Sequence, residues 1–278
     1  MSKRLQKNKF LKTYGAFTRA GVMDAVAYKM NFICFFIGEI FYCFVMYFIW
    51  KAVFESSGSG TFMSFSMTDM VVYLFLSNIT MFFTDTDSTY AIGEEIKDGS
   101  IVMRLIKPIQ VDLSYLFYEL GNKSLVMSTV FFPVIIGVEI YKYNVAGHIA
   151  FDIGKFLLFM LSIILSYLLA FYLNLVFGYM AFFLMNLWGL NILKGSIIKF
   201  FSGAIIPLAF FPEIITKIFS LMPFASLSYT PVMIYMGKYT GKDLLFAMGL
   251  QVFWLVAFFF ISKMVWKWAQ KRILVQGG

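Results

Sequence analysis

Glu94-Glu95-Ile96-Lys97-Asp98-Gly99-Ser100-Ile101-Val102-Met103-Arg104-Leu105-Ile106-Lys107-Pro108 is a charged segment set between two long hydrophobic runs, and the fold follows from where such a segment can lie. Its charge density keeps it out of hydrocarbon, so it belongs at a membrane surface. Ile96, Met103 and Leu105–Ile106 give it an apolar side, while Glu94, Glu95, Lys97, Asp98 and Arg104 keep it wet. Gly99 predicts a break into two short helices, because glycine is a poor helix former. A solvated loop between spans and a docking surface for a soluble protein both fit this pattern.

The composition around the segment is that of an integral membrane protein. Of the 278 residues 60% are hydrophobic, 20% aromatic and only 14% charged, with mean hydropathy +0.80. An ordinary soluble domain is about 45–50% apolar and about a quarter charged. The length accommodates several helices of about 20 apolar residues with short loops and leaves no room for a sizeable soluble domain. The net charge of +8 sits at the ends of hydrophobic runs, which anionic lipid and the positive-inside bias explain, so nucleic acid is excluded as a partner and membrane lipids are expected instead. Cys34 and Cys43 share the first apolar run about 13 Å apart along a helix axis, too far for a disulfide. The late first apolar run, with no small-residue cleavage site, does not read as a cleaved secretory signal.

Residues 1–29 form a first unit. Lys3, Arg4, Lys7, Lys9, Lys12, Arg19 and Lys29 stand against one acid, Asp24, and Phe10, Tyr14 and Phe17 share a helical face. The segment therefore reads as an amphipathic interfacial helix, with Met1 to Asn8 as a disordered basic tail. Residues 30–278 form an all-α polytopic unit with six predicted spans, at about 30–50, 70–90, 113–140, 156–185, 197–212 and 244–266. The second has a clean apolar part only to Phe83 and borrows length from Thr84–Thr89, with Asp85 and Asp87 at a helix end in water. Pro207, Pro212 and Pro223 interrupt the chain after the fifth span and predict a re-entrant hairpin of short helices. A small inner loop is expected at Asn186–Lys194, and an outer one at Tyr141–Gly154 with His148. Both termini are predicted cytoplasmic, because of the 23 Lys and Arg only Lys51, Lys142, Lys155, Lys217, Lys238 and Lys242 then fall outside.

Catalytic and nucleotide-binding signatures are missing. Gly237-Lys238-Tyr239-Thr240-Gly241-Lys242 has one residue too few between its glycines for a phosphate loop. His148 stands apart from other metal-ligand residues in the sequence, so no metal site is expected. There is no Gly-x-Ser-x-Gly elbow. The chain is therefore expected not to be an enzyme and to bind no cofactor, and its energy must come from a partner or an ion gradient. Glu39, inside the first span, either lines a polar pathway, pairs across a subunit interface, or is protonated or hydrogen-bonded to a neighbouring helix.

The inner segment Glu94–Ile109, taken with Ser202-Gly203-Ala204-Ile205-Ile206-Pro207-Leu208-Ala209-Phe210-Phe211-Pro212, Leu221-Met222-Pro223-Phe224 and Tyr229-Thr230-Pro231, resembles the membrane subunits of type-2 ABC exporters, in the short six-span branch with a separate ATPase. The resemblance covers nearly the whole chain. It implies that Glu94, Glu95, Lys97, Asp98 and Arg104 belong to a coupling helix facing a cytoplasmic ABC ATPase dimer, which binds ATP and Mg. It also implies that Pro207, Phe210, Phe211, Pro212 and Pro223 shape an outer gate, and that a second permease, identical or a paired homologue, completes the pathway. The expected function is ATP-driven export of an amphiphilic, lipid-like, drug or peptide substrate across a cell membrane, here a bacterial plasma membrane. The alternatives are an ion-coupled secondary transporter, which the scarcity of ionisable groups in the fourth and sixth spans disfavours, and a non-transporting accessory subunit.

Overall fold

A computed structural model describes residues 3–57, 61–63, 65–86, 88–148, 151–184 and 187–276. Twelve α-helices account for most of it: α1 (Lys3–Ala27), α2 (Lys29–Ser57), α3 (Met67–Thr84), α4 (Ser88–Lys97), α5 (Ile101–Leu105), α6 (Val111–Val126), α7 (Phe132–Ala146), α8 (Ile153–Tyr179), α9 (Trp188–Phe201), α10 (Glu213–Leu221), α11 (Tyr229–Tyr235) and α12 (Gly241–Gln276). Two dipeptide strands, β1 (Thr61–Phe62) and β2 (Phe65–Ser66), pair antiparallel between α2 and α3.

Five stretches of the described residues are helical, long and apolar enough to cross a membrane: Phe36–Ser57, Met67–Lys97, Val111–Val145, Ile153–Phe182 and Gly241–Lys271. They make the chain a multi-pass membrane protein. The predicted fifth span over 197–212 is not among them. The helix there is α9, which begins at Trp188, inside the stretch read as a loop, and ends at Phe201. At about 1.5 Å per residue its 14 residues fall short of a hydrocarbon core of about 30 Å. It stops because Gly203 adopts φ +76° and Pro207 follows, so the chain turns instead of propagating.

Other boundaries also move. α3 ends at Thr84 with Asp85 extended and helix resumes as α4 at Ser88, so the second crossing stretch, Met67–Lys97, runs through the polar residues as two helices; Asp87 lies outside the described residues. A capping box fixes the start of α3: Asp69 N donates to Ser66 Oγ at 3.0 Å and Ser66 N to Asp69 Oδ2 at 3.1 Å. The third span is one rod with a π-helical turn at Met127–Phe131 immediately before Pro133, whose ring and missing N–H force the ladder to widen. The N-terminal helix starts at Lys3, within the stretch expected to be disordered, with Met1 and Ser2 outside the described residues.

α3 and α8 form the centre. Tyr73, Leu76, Phe159, Phe171 and Leu175 are fully enclosed, and α8 touches α3, α4, α11 and α12. In lipid such packing gains little from burying oil against oil, so close fit and internal hydrogen bonds must hold the helices together. Ser162 and Ser166 on α8 meet Gln251 on α12 and the Ser226 carbonyl in one buried network. After the Gly203 turn, α10 and α11 and two short 3-10 turns follow, as the prolines predicted, and α11 is buried throughout.

α1 does more than lie on a lipid surface. Phe10, Tyr14 and Phe17 do share a face, yet Phe10 and Tyr14 pack on Phe117 of α6, with ring centroids 5.9 and 5.2 Å away. The crossing of α1 and α6 is glycine-lined: a Cβ on Gly21 would fall 2.0 Å from the Tyr118 carbonyl oxygen, and one on Gly121 would fall 2.0 Å from that of Thr18.

Candidate functional site

The Glu94–Pro108 segment folds as two short helices, α4 and α5, joined at Gly99, whose φ of +79° only glycine adopts easily. The turn folds the segment back so that Arg104 faces Glu95. Arg104 Nε and Nη2 donate to the two carboxylate oxygens of Glu95 at 2.6 Å each, a forked pair. Tyr115 on α6 donates its hydroxyl to Glu95 at 2.7 Å, Arg104 Nη1 donates to Ser114 Oγ at 2.9 Å, and the guanidinium lies 4.2 Å from the Tyr115 ring centre. Glu95 and Arg104 thus fasten the segment to α6.

The predicted apolar side divides in two. Ile96 and Leu105 pack against the core and Ile101 is buried, whereas Val102, Met103 and Ile106 are 45%, 58% and 68% exposed. Glu94 and Lys97 form an exposed pair at 3.8 Å, and Asp98 is exposed beside them. The Ser100 hydroxyl and amide hydrogen-bond the Asp98 carboxyl and hold it below the ordinary carboxylate range. The outward surface therefore combines Glu94, Lys97 and Asp98 with Val102, Met103 and Ile106.

The first turn of α4 is tied to three other helices through residues that the sequence reading did not single out. Ser88 donates a short hydrogen bond to Glu119 of α6. Thr89 Oγ1 donates to Asn174 of α8 at 3.0 Å, and Lys194 of α9 donates to Thr89 Oγ1 at 2.9 Å and also bonds Asn174 Oδ1. α4 can approach α8 this closely because Gly178 leaves room for Ile92. Glu119 and Asn174, polar residues inside long apolar runs, were the available signal.

Glu39 on α2 accepts a hydrogen bond from Asn78 Nδ2 on α3 at 2.8 Å, which is the neighbouring-helix partner considered from sequence. The same carboxylate borders two cavities. One, of about 360 Å³, is walled by Asn78, Asp85, Asn174, Lys194 and Lys199. The other, of about 370 Å³, is a mainly apolar groove against α2 lined by Phe36, Ile40, Phe44, Phe48 and Phe75. Cys43 borders this groove, and both cysteines are free thiols. Among the described residues no cluster of three His, Cys, Asp or Glu could hold a metal ion.

The proline-rich region is anchored at the far end of α3. Tyr73 donates to the Gly203 carbonyl at 2.6 Å, and Tyr229 N donates to that of Ser202 at 3.1 Å. Pro207 is buried; Phe210 meets Trp50, Phe62 and Phe65 edge to face. Phe211 packs on Phe200 and Phe219, Pro212 is exposed at the start of α10, and Pro223 follows its end, partly buried. Phe210 and Phe211 thus occupy two separate aromatic clusters.

No curated protein matches the chain closely enough to be named beside it. The family model described as ABC-2 family transporter protein matches residues 40–277, from the middle of α2 through α12, so that only α1 and the beginning of α2 lie before it. Five membrane-crossing helices, a charged helical segment folded against their ends and a match over most of the length agree: the chain belongs to the ABC-2 transporter family, as a membrane permease subunit of the kind that works with a partner ATPase.

Proposed function

We propose that the chain is the permease of an ATP-driven exporter, in which two permeases, identical or a homologous pair, stand on a dimer of cytoplasmic ABC ATPases in a bacterial plasma membrane. ATP and Mg bind to the ATPases, and the permease has no nucleotide site of its own. Its cargo is amphiphilic: a lipid-like molecule, a drug or a peptide. α9 and the short helices after it together make the sixth crossing, both termini are cytoplasmic, and Pro207, Phe210, Phe211, Pro212 and Pro223 belong to the outer gate.

The observation that carries this reading is the two-sided build of the α4–α5 segment. Its outer side offers Glu94, Lys97, Asp98, Val102, Met103 and Ile106 to a soluble partner, while Glu95 and Arg104 act from within by fixing it to α6. A displacement of α4 by a closing ATPase dimer has two rigid outlets, one to α6 through Glu95 and Arg104, the other to α8 and α9 through Thr89, Asn174 and Lys194. That arrangement converts partner closure into helix movement.

Copurification is the test. The wild-type chain should bring down an ABC ATPase encoded beside its gene, and the double reversal Glu94→Lys with Asp98→Lys should weaken that association while membrane insertion stays normal. A wild-type chain that brings down no ATPase, or a double variant that binds and transports like wild type, defeats the reading.

A further inference from the structure

We infer that the two cavities sharing Glu39 form one binding site for a zwitterionic phospholipid, one whose head carries an ammonium and a phosphate and whose acyl chain lies along α2. This rests on the export reading, since it names the cargo class. The polar cavity and the aromatic groove have Glu39, Asn78 and Phe82 in common, so one molecule can occupy both.

The head is selected by charge. Glu39 has Asn78 as its one hydrogen-bond partner among the described residues, a neutral amide that leaves the carboxylate without an opposite charge. Lys199, exposed and lining the same polar cavity, makes no ion pair or side-chain hydrogen bond with its ammonium among the described residues. An uncompensated charge at membrane depth is costly, and a ligand bearing the opposite sign relieves it. The two do not bond each other, so each is available to a different end of a dipolar head. A purely anionic head would face Glu39, and a purely cationic one would face Lys199. Lys194 lies five residues, about 8 Å, back along α9 and also lines the polar cavity.

The tail is selected by surface. Phe36, Ile40, Phe44, Phe48 and Phe75 form a continuous apolar wall, and α2 buries little of its length against the rest of the chain. An acyl chain enters such a groove sideways from the bilayer and needs no aqueous path. Lys194 links the polar cavity to the ATPase-facing side, because it also holds Thr89 on α4.

Binding to the purified full-length protein in nanodiscs of an uncharged galactolipid, which has neither ammonium nor phosphate, tests this with three labelled compounds of matched chain length: lysophosphatidylethanolamine, the anionic lysophosphatidylglycerol, and hexadecylamine. The zwitterion should bind at least about tenfold more tightly than either single-charge compound. Glu39→Gln, which keeps an acceptor for Asn78, should abolish the preference over lysophosphatidylglycerol; Lys199→Gln should abolish the preference over hexadecylamine. Ile40→Trp, filling the groove, should weaken all three. Equal binding of the three compounds, tightest binding of a single-charge compound, or a preference that survives both Gln variants overturns the inference. ATP-driven export of some other amphiphile with no zwitterion binding would leave the export reading standing and remove this one. Zwitterion binding with no ATPase partner would do the reverse.

Discussion

Arg104 grips Glu95 through two hydrogen bonds of 2.6 Å across the Gly99 turn, and Tyr115 of α6 holds the same carboxylate. Both side chains are 22% exposed, so water screens the pair only in part. Arg104→Lys keeps the charge but cannot fork onto the carboxylate or lie flat on Tyr115. It is expected to cost about 1–3 kcal/mol, the range for a buried hydrogen-bonded charge losing its partner. Thermal unfolding in a fixed detergent measures this. Cargo-stimulated ATP hydrolysis should fall as well, because α4 and α5 would move without drawing α6 along. Asp98→Asn, at an exposed position of the same segment, should leave the unfolding midpoint where it was.

The crossing of α1 and α6 supplies a second prediction. At Gly21 and Gly121 a side chain would meet backbone oxygen at 2.0 Å, an obstacle that no rotamer can avoid. Gly21→Val should force the helices apart and cost about 1–3 kcal/mol, as overpacking does. Limited trypsin digestion reports it: Lys12 and Arg19 are already exposed, and cleavage at them should speed up once α1 loses its support on α6 and its backbone frays. Gly15→Ala, with open space where the methyl would go, should digest like wild type.

The sequence made the spans legible because hydropathy is a property of single residues. Facing is not: α2, α7 and α12 are apolar nearly all round, so periodicity could not say which side packs. Helix α9 begins inside the stretch expected to be a loop because Asn191 and Lys194 resemble loop residues, and only the fold brings Thr89 and Asn174 to Lys194. The inner segment showed its break at Gly99, but Glu95 and Arg104 are nine positions apart on different helices. No spacing rule pairs them, so both read as outward charges. Gly21 and Gly121 gave no signal either, since their value lies wholly in the helix that approaches.

Thr89 and Lys194 should couple α4 to α9 beyond their separate effects. Thr89→Val removes the hydroxyl at nearly constant shape, and Lys194→Met removes the ammonium. In a double-mutant cycle on cargo-stimulated ATPase activity, an interaction of about 0.5–3 kcal/mol is expected, the range for residues in one network. Strict additivity would mean that the bond transmits nothing.

Asp152 begins α8 by accepting hydrogen bonds from Lys155 N at 3.2 Å and Gly154 N at 2.9 Å. The backbone bond from Lys155, followed by that from Gly154 and the charge of Lys155, holds its carboxyl below the ordinary value. A depressed folded-state pKa gives stability that is present above the unfolded value and is lost as pH falls through the folded one. Amide exchange at Gly154 and Lys155, corrected for intrinsic rate, should therefore accelerate in acid. In Asp152→Asn the cap survives without a titrating group, and that acceleration should vanish.

Gln251 gives the sharpest test of what binds α12 to α8. Its amide donates to Ser166 Oγ at 3.0 Å and to the Ser226 carbonyl at 2.9 Å, while its carbonyl accepts from Ser162 at 2.9 Å. All of these groups are buried, and surrounding hydrocarbon offers no substitute partners. Gln251→Leu is isosteric enough to keep the packing, so a loss of stability must come from the Ser162 hydroxyl left without its acceptor and the Ser226 carbonyl left with Ser166 alone. About 1–2 kcal/mol is expected from interhelical hydrogen bonds in membranes. Val252→Ala, one residue along on the exposed face, should stay within about 0.5 kcal/mol. If both variants melt together with wild type, apolar fit alone holds α8 to α12, and the buried serines of α8 need another explanation.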